Sequence, residues 1–321
     1  VSRKILYVTD DRESYSLGNY YLAYQRAFLR KEQVTLRHPL DGLPDPAGFD
    51  LVVLGHAAIE HFARIRGARF IPSRVRSRLW FRHAGLRALR RSRTPVVLFT
   101  KNDYKHFELK NAFISFVRPR VVITHTRSAL AMLENPRGRV TWLPFGVDTE
   151  QFSPSPDGTA RPFDLGFRAN ANSEWNGGER QRFFQALSRL EKHRPVSLTL
   201  SKNGEGFLVG KPYVDWMRSC AILGNSVSAA GTVGPRFLEA MACGTVPLAP
   251  RHEYEGLLVP DKHYIPVDAG EDGTFSNVEA GVARFFEDAR YRQQLREHGQ
   301  SLVREHSVDQ HVLHVCREAG V

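Results

Sequence analysis

Residues 231–247 read GTVGPRFLEAMACGTVP. Glycines and a proline stand where a loop turns into a helix, and a strand-like run from Thr245 to Leu248 follows at once. Pro235 suits the first helical turn, where its missing N–H costs nothing. The free N–H groups around Gly234, Arg236 and Phe237 then make an anion site, and the Arg236 guanidinium adds the charge that suits a diphosphate. Glu239 falls one turn further along, close enough to accept hydrogen bonds from a sugar or ribose hydroxyl while the helix start holds phosphate. The same spacing also fits a core helix of a nucleotide fold with a capped start.

Outward from this stretch, runs of Val, Ile and Leu alternate with helical patterns, which favours parallel sheets built of strand–helix–strand units. Before it the spacing predicts strands at Lys4 to Thr9, Val34 to Arg37, Asp50 to Leu54, Pro95 to Thr100, Arg120 to Thr124 and Val140 to Leu143. Helices are predicted at Asn19 to Arg30, Arg74 to Arg91, Tyr104 to Phe116 and Arg127 to Glu134. Residues 149–162, TEQFSPSPDGTARP, hold three prolines and no periodicity and read as an interdomain connection.

The alternation then restarts, with strands at Phe163 to Phe167, Val196 to Leu200, Ala221 to Gly224, Thr245 to Leu248 and His263 to Val267. Its helices are expected at Gly178 to Lys192, Pro212 to Ser219, Pro235 to Cys243, Asn277 to Asp288, Tyr291 to Glu305 and Val308 to Glu318. The fold class is α/β, with two Rossmann-like domains facing a cleft. The expected division is 1–148 for an N-terminal Rossmann-like domain, 149–162 for the linker and 163–306 for a C-terminal Rossmann-like domain. A C-terminal helix, 307–321, is expected to pack back on the first domain.

With 321 residues, 42% hydrophobic and 25% charged, the chain is long enough for two globular cores and is neither disordered nor collagen-like. No stretch approaches the roughly 18 consecutive apolar residues of a membrane span. The first residues, VSRKILYVTDD, run into a strand pattern, so a cytoplasmic protein is expected. Cys220, Cys243 and Cys316 are odd in number and far apart, against a disulfide framework or a zinc site. His61, His106, His125 and His263 fall in no metal-ligand spacing, and no metal is expected.

The net charge of +11 is local: residues 64–93 carry eleven arginines and no lysine or acid, and the rest of the chain balances at 34 against 34. There Ser73 is placed to cap a basic amphipathic helix, with Arg74, Arg76, Arg78, Arg82, Arg87 and Arg90 around an apolar side that includes Trp80 and Phe81. Such a helix suits an anionic membrane surface, peripheral on the inner face. It equally suits a surface helix packed on its own domain with solvated arginines. Nucleic acid is disfavoured, since the segment has no recognition motif and few aromatics.

The run FLEAMACGTVPLA, Phe237 to Ala249, is similar to the nucleotide-sugar-binding region of group 1 glycosyltransferases with the GT-B fold. VTWLPFGVDTEQFSP, Val140 to Pro154, resembles the interdomain signature of the same family, and GLLVPDKHYIPVD, Gly256 to Asp268, resembles its spore-maturation-protein-like branch. The resemblance implies transfer of a sugar from a nucleotide-diphosphate donor, itself a substrate with no further cofactor, to a hydroxyl acceptor. That acceptor is a glycan, lipid-linked or membrane-proximal if the basic helix touches membrane. Glu239 should bind the donor ribose, with Gly231, Thr232, Val233, Gly234, Arg236 and Phe237 along the donor. Arg168, in DLGFRAN, stands where the family places a basic residue that neutralises the leaving phosphate. A second basic residue falls to Arg180 or Arg182 in GGERQR, or to Lys202. The retaining branch carries another glutamate eight positions before the Glu239 position, and here that place is Gly231.

Little covalent participation is required, because cations and helix dipoles at the diphosphate supply the main stabilisation as the anomeric bond breaks. No Asp-x-Asp pair follows a strand of the second domain, in keeping with the metal-independent mechanism of the fold that it resembles, and the resemblance implies a hexosyltransferase of the retaining kind. In the first domain Gly18 and Asn19 form a candidate acceptor or phosphate loop. His56, Asn102 and Asp103 follow strands at the ends where a cleft opens. Asp103 or His56 is the candidate general base for the acceptor hydroxyl, and a polar loop residue is the plainer reading of each. Two other functions fit the residues: an epimerase or hydrolase acting on the nucleotide sugar, and a non-catalytic sugar-nucleotide or nucleic-acid binder.

Overall fold

The computed structural model describes residues 2–9, 20–39, 41–63, 83–156, 159–171, 178–201, 206–227 and 231–321. Contacts divide the chain into two units, one holding the first strand, Tyr21–Pro144 and Val308–Val321, the other Phe145–Ser307.

In the first unit β1 (Lys4–Val8), β2 (Gln33–Arg37), β3 (Leu51–Leu54), β4 (Val96–Phe99), β5 (Val121–Thr124) and β6 (Arg139–Trp142) form one parallel sheet in the order β2-β1-β3-β4-β5-β6. The strands KILYV, LVVL, VVLF and VVIT are apolar on both sides because both sides are covered. Leu6, Val8, Val52 and Leu54 pack on one face with Phe62, Leu86, Leu89 and Phe113. These last come from α2 (Ala58–Ala63), α3 (Ala84–Arg91) and α4 (Phe107–Val117). Ile5, Tyr7, Val53 and Phe99 pack on the other with Tyr24 and Phe28 of α1 (Tyr20–Lys31). The last helix of the chain completes that face through Val308, Val312, Val315 and Cys316, and Asp309 takes a 2.8 Å bond from Arg30.

In the second unit β7 (Phe163–Asn170), β8 (Val196–Ser201), β9 (Cys220–Gly224), β10 (Val246–Pro250) and β11 (Ile265–Val267) pair in parallel in the order β11-β10-β9-β7-β8. α5 (Glu179–Ser188), α6 (Lys211–Ser219), α7 (Pro235–Ala242), α8 (Val278–Glu287), α9 (Ala289–Glu305) and α10 (Val308–Ala319) complete the element order, α10 being the helix on the first unit. α7 is buried from Phe237 to Ala242. α9 crosses it at Gly299, where a Cβ would lie 3.1 Å from Met241 Cγ, so the helices meet at a distance that a larger residue opens.

Within the stretch expected as a connection, Phe152 and Arg161 pack on the second unit. Phe152 is buried in its core. Arg161 donates to the carbonyls of Cys220 at 2.6 Å and Cys243 at 2.9 Å and to Thr245 Oγ1 at 2.7 Å, a fork matched to chain ends that carry unpaired acceptors. The expected helix at Arg127 to Glu134 is a short 3₁₀ turn, Arg127–Ala131. The segment at Gly178 to Lys192 ends its α-helix at Ser188 and finishes in a 3₁₀ turn. Of the basic helix, Arg74, Arg76, Arg78, Trp80, Phe81 and Arg82 lie outside the described residues. The described part begins at Ala84, capped by His83 Nδ1, and buries Leu86 and Leu89 in its own unit. Its apolar side is therefore occupied, and Arg87 and Arg91 are exposed. The three cysteines are free and buried. Among the described residues no helix is long and apolar enough to cross a membrane.

Candidate active site

The strand order of the second unit reverses at β7, which has β8 on one side and β9 on the other; ligands of open parallel sheets bind beyond the carboxyl ends at such a point. Arg180, in the first turn of α5, spans it: Nη1 donates to Asn170 O and Nε to Ser226 Oγ, both at 2.9 Å. Arg168 and Asn225 each lie two residues beyond the paired Gly166 and Leu223. The Arg168 guanidinium lies 5.1 Å from the centre of the Trp216 ring, and its Nη1 donates to Gly206 O at 2.6 Å. Arg168 Nε and Asn225 Nδ2 are buried donors that no described residue accepts from. Buried donors without acceptors are costly and mark a place for a ligand or water.

Arg236 joins this group from α7, donating through Nη1 to Arg168 O at 2.7 Å and through Nε to Tyr213 OH at 3.4 Å. Burial lowers the pKa of Arg180, and the charge of Arg236 lowers it further, so two guanidiniums share one place. With the start of α7 beside them, they favour an anion. Gly234 caps α7 with no side-chain bond, and a Cβ there would meet nothing within 4 Å, which leaves the helix start open. Phe237, expected at the diphosphate, is a core residue: it packs edge-on against Tyr254 at 5.0 Å, and its N–H bonds Gly234 O. Glu239 is 3% exposed and accepts from Tyr213 OH at 3.1 Å. Burial pushes its carboxyl up to about 7, against the pull of Arg236 and Tyr213.

Thr232 and Val233 are buried, and the Val233 N–H points to Glu255 Oε2 at 3.5 Å. Gly231 has φ +67°, and a Cβ on it would lie 2.8 Å from His252 Cε1. The structure thus brings together Arg168, Arg180, Arg236 and Glu239, with Gly231 to Gly234 at their edge. Lys202 lies outside the described residues. Arg182 points to Gly273 O at 3.0 Å.

In the first unit the residues after β3, β4 and β5 converge. His56 is 1% exposed, with Nε2 2.7 Å from His125 Nε2. Asp103 does not face solvent: it accepts from Thr124 Oγ1 at 2.7 Å and His125 N at 2.9 Å and lies 3.6 Å from Lys110 Nζ. Both hydrogen bonds fall on Oδ2 and clamp the loop after β4 to the end of β5, while Asp103 Oδ1 and His56 Nδ1 are buried atoms with no hydrogen bond among the described residues. Asn102 is left-handed at φ 49°, and its carbonyl accepts from Lys110 Nζ at 2.8 Å. Gly18 and Asn19 lie outside the described residues. Sequence reasoning missed Tyr213, Asn225, His252 and the partnership of His125. For Asn225, His125 and His252 the available signal was position just past a strand.

Residues 180–317 match the family described as glycosyl transferase-like. HepE of Anabaena, in a structure with UDP and glucose, is 14% identical with a TM-score of 0.60, over 98% of this chain and 99% of that one. Sucrose-phosphate synthase of Thermosynechococcus elongatus is 11% identical with a TM-score of 0.61, over 98% of both chains. A glycosyltransferase of Rickettsia africae is 10% identical with a TM-score of 0.61, over 99% of this chain and 98% of that one. The chain has the GT-B fold, and the glycosyl transferase-like match lies in its second half. The two parallel sheets of six and five strands are the two Rossmann-like halves of that fold. No curated protein matches the chain in sequence.

Proposed function

We propose that this protein is a glycosyltransferase that takes its sugar from a uridine diphosphate donor held by the second unit, without a metal and with retention at the anomeric carbon. The observation that carries the reading is the meeting of Arg180, Arg236 and the start of α7 beside a buried Glu239. A diphosphate meets the arginines and helix start, and ribose hydroxyls meet Glu239 with Tyr213 behind it. The HepE structures with UDP and with UDP-glucose support uridine as the base.

In the reaction the acceptor oxygen bonds the anomeric carbon while the bond to the diphosphate oxygen breaks. The diphosphate leaves with the electron pair, and the acceptor proton passes to a base. Arg168, Arg180 and Arg236 oppose the charge that grows on the leaving group. His56 is the candidate for the acceptor proton in the first unit. The exposed arginines of α3 and Arg93 suit an anionic surface and hence a lipid-linked or membrane-proximal acceptor.

Calorimetric titration with UDP tests the donor site. The expected result is binding to the wild type and about a 10-fold or greater loss in Glu239→Ala, as for a hydrogen bond to a charged group. A folded wild type that binds no UDP would remove the reading. Turnover of the sugar nucleotide only when an acceptor is present would separate transfer from hydrolysis.

A further inference from the structure

Glu239 lies inside α7 and Gly234 at its start, so a nucleoside diphosphate with its ribose at Glu239 and its phosphates at Arg236 and Arg180 runs outward along the chain toward Gly231. What stands beside Gly231 is His252, two residues past the end of β10. Its ring lies 2.8 Å at Cε1, 3.4 Å at Nε2 and 3.8 Å at Nδ1 from the place a Cβ on Gly231 would take. The glycine is what makes room for the imidazole. His252 is also in the neighbourhood of the phosphate arginines, since Glu179 lies within electrostatic reach of Arg182, His252 and Arg180.

We propose that His252 reads the sugar of the nucleotide donor, its Nε2–H donating to a hydroxyl of a neutral sugar. The inference rests on the donor site proposed above and names the residue that selects its sugar. His252 Nδ1 accepts the Tyr254 N–H at 3.2 Å, which puts the ring proton on Nε2. Two consecutive left-handed residues, Tyr254 at φ 43° and Glu255 at φ 57°, shape the turn that aims this N–H, and Tyr254 OH anchors it to Pro250 O at 2.8 Å. Left-handed conformations in non-glycine residues persist where the surrounding structure holds them, and they gather at ligand clamps. The ring is exposed, and no described residue bonds Nε2.

Phosphate charge at this site is met by two guanidiniums and a helix start, whereas an imidazole whose Nδ1 is occupied by the Tyr254 N–H offers one directional N–H, the complement of a hydroxyl.

Calorimetric titration of UDP, UDP-glucose and UDP-galactose into wild type, His252→Ala and His252→Gln tests this. The expected result is equal UDP affinity in all three proteins. The tighter of the two neutral sugar nucleotides should weaken about 5- to 10-fold in His252→Ala, the size of one hydrogen bond, and most of that affinity should return in His252→Gln, whose amide also donates. Equal weakening of UDP and UDP-sugar in His252→Ala would make His252 a phosphate ligand and overturn the proposal, as would no change in either. A wild type that binds no UDP would instead remove the donor site itself. The exposed ring makes an unchanged melting temperature the check on folding.

Discussion

The Nε2 atoms of His56 and His125 lie 2.7 Å apart, and His125 Nδ1 lies 2.7 Å from Leu143 O. A carbonyl only accepts, so His125 carries its proton on Nδ1 and offers a lone pair at Nε2. His56 must then donate from Nε2, and its buried Nδ1 keeps an unbonded lone pair. Both rings are neutral in this arrangement: a proton on His125 Nε2 would remove the acceptor, and one on His56 Nδ1 would keep the bond but bury a charge.

Stability should therefore fall in mild acid. Burial holds His56 well below the ordinary histidine pKa, with the charges of His125 and Lys101 acting the same way, and burial lowers His125 too. A folded pKa below the unfolded one means that the unfolded chain takes up protons first, so stability is present above about pH 6.5 and is lost as pH drops below it. Urea unfolding at pH 7.5 and 5.5 should show this loss, and His56→Asn should show a smaller one. His83, His263 and His306 shift in the same direction, so the difference between variant and wild type is the decisive quantity. Equal losses in the two proteins would exclude His56 as a source.

UDP affinity should rise with pH through neutrality. With its carboxyl pushed up to about 7, Glu239 is half protonated there, and a ribose hydroxyl that donates to it favours the ionised form. The phosphate ionises over a nearby range in any protein, so the comparison is with Glu239→Gln, which should keep only the ligand's own pH dependence. Parallel curves for the two proteins would show that Glu239 does not titrate in binding.

Much of the fold was legible because parallel strands buried on both faces read as unbroken runs such as LVVL and VVIT, and all eleven expected strands form. The start of α7 was legible for a local reason too: Pro235, Arg236 and Glu239 sit within one helical turn and a half. The rest of the site was not, because it joins the ends of separate strands. Tyr213 reaches Glu239 from another helix, Arg180 finds its partners on β7 and after β9, and periodicity holds no information on such meetings. Asp103 shows the converse limit, a residue of suitable chemistry at a suitable strand end that is buried and whose Oδ2 is taken up by Thr124 and the His125 backbone.

Gly231 and His252 should be energetically coupled. Gly231→Ala places a Cβ at φ +67° and against the imidazole, and the left-handed backbone alone is expected to cost about 1 kcal/mol. His252→Gly removes the obstacle and leaves the backbone cost. The double variant should then be more stable than the sum of the single effects by about 0.5 kcal/mol, measured by urea unfolding. Strict additivity would show that the ring moves aside freely and that the two positions are independent.

Binding to anionic vesicles should be electrostatic throughout. Leu86 and Leu89 are buried, so the described part of the basic segment has no apolar side to insert, and Arg90 is engaged with Phe116, 5.3 Å from the ring centre. Arg87, Arg91 and Arg93 remain exposed. At about 1 kcal/mol for each basic residue near the headgroups, replacing these three by glutamine should weaken sedimentation with phosphatidylserine vesicles by about two orders of magnitude. Raising salt from 0.1 to 1 M shortens the screening length from about 10 to 3 Å and should release the wild type. Binding that survives high salt would point to insertion by another part of the chain, and binding indifferent to the triple substitution would clear α3 and Arg93 of any role in it.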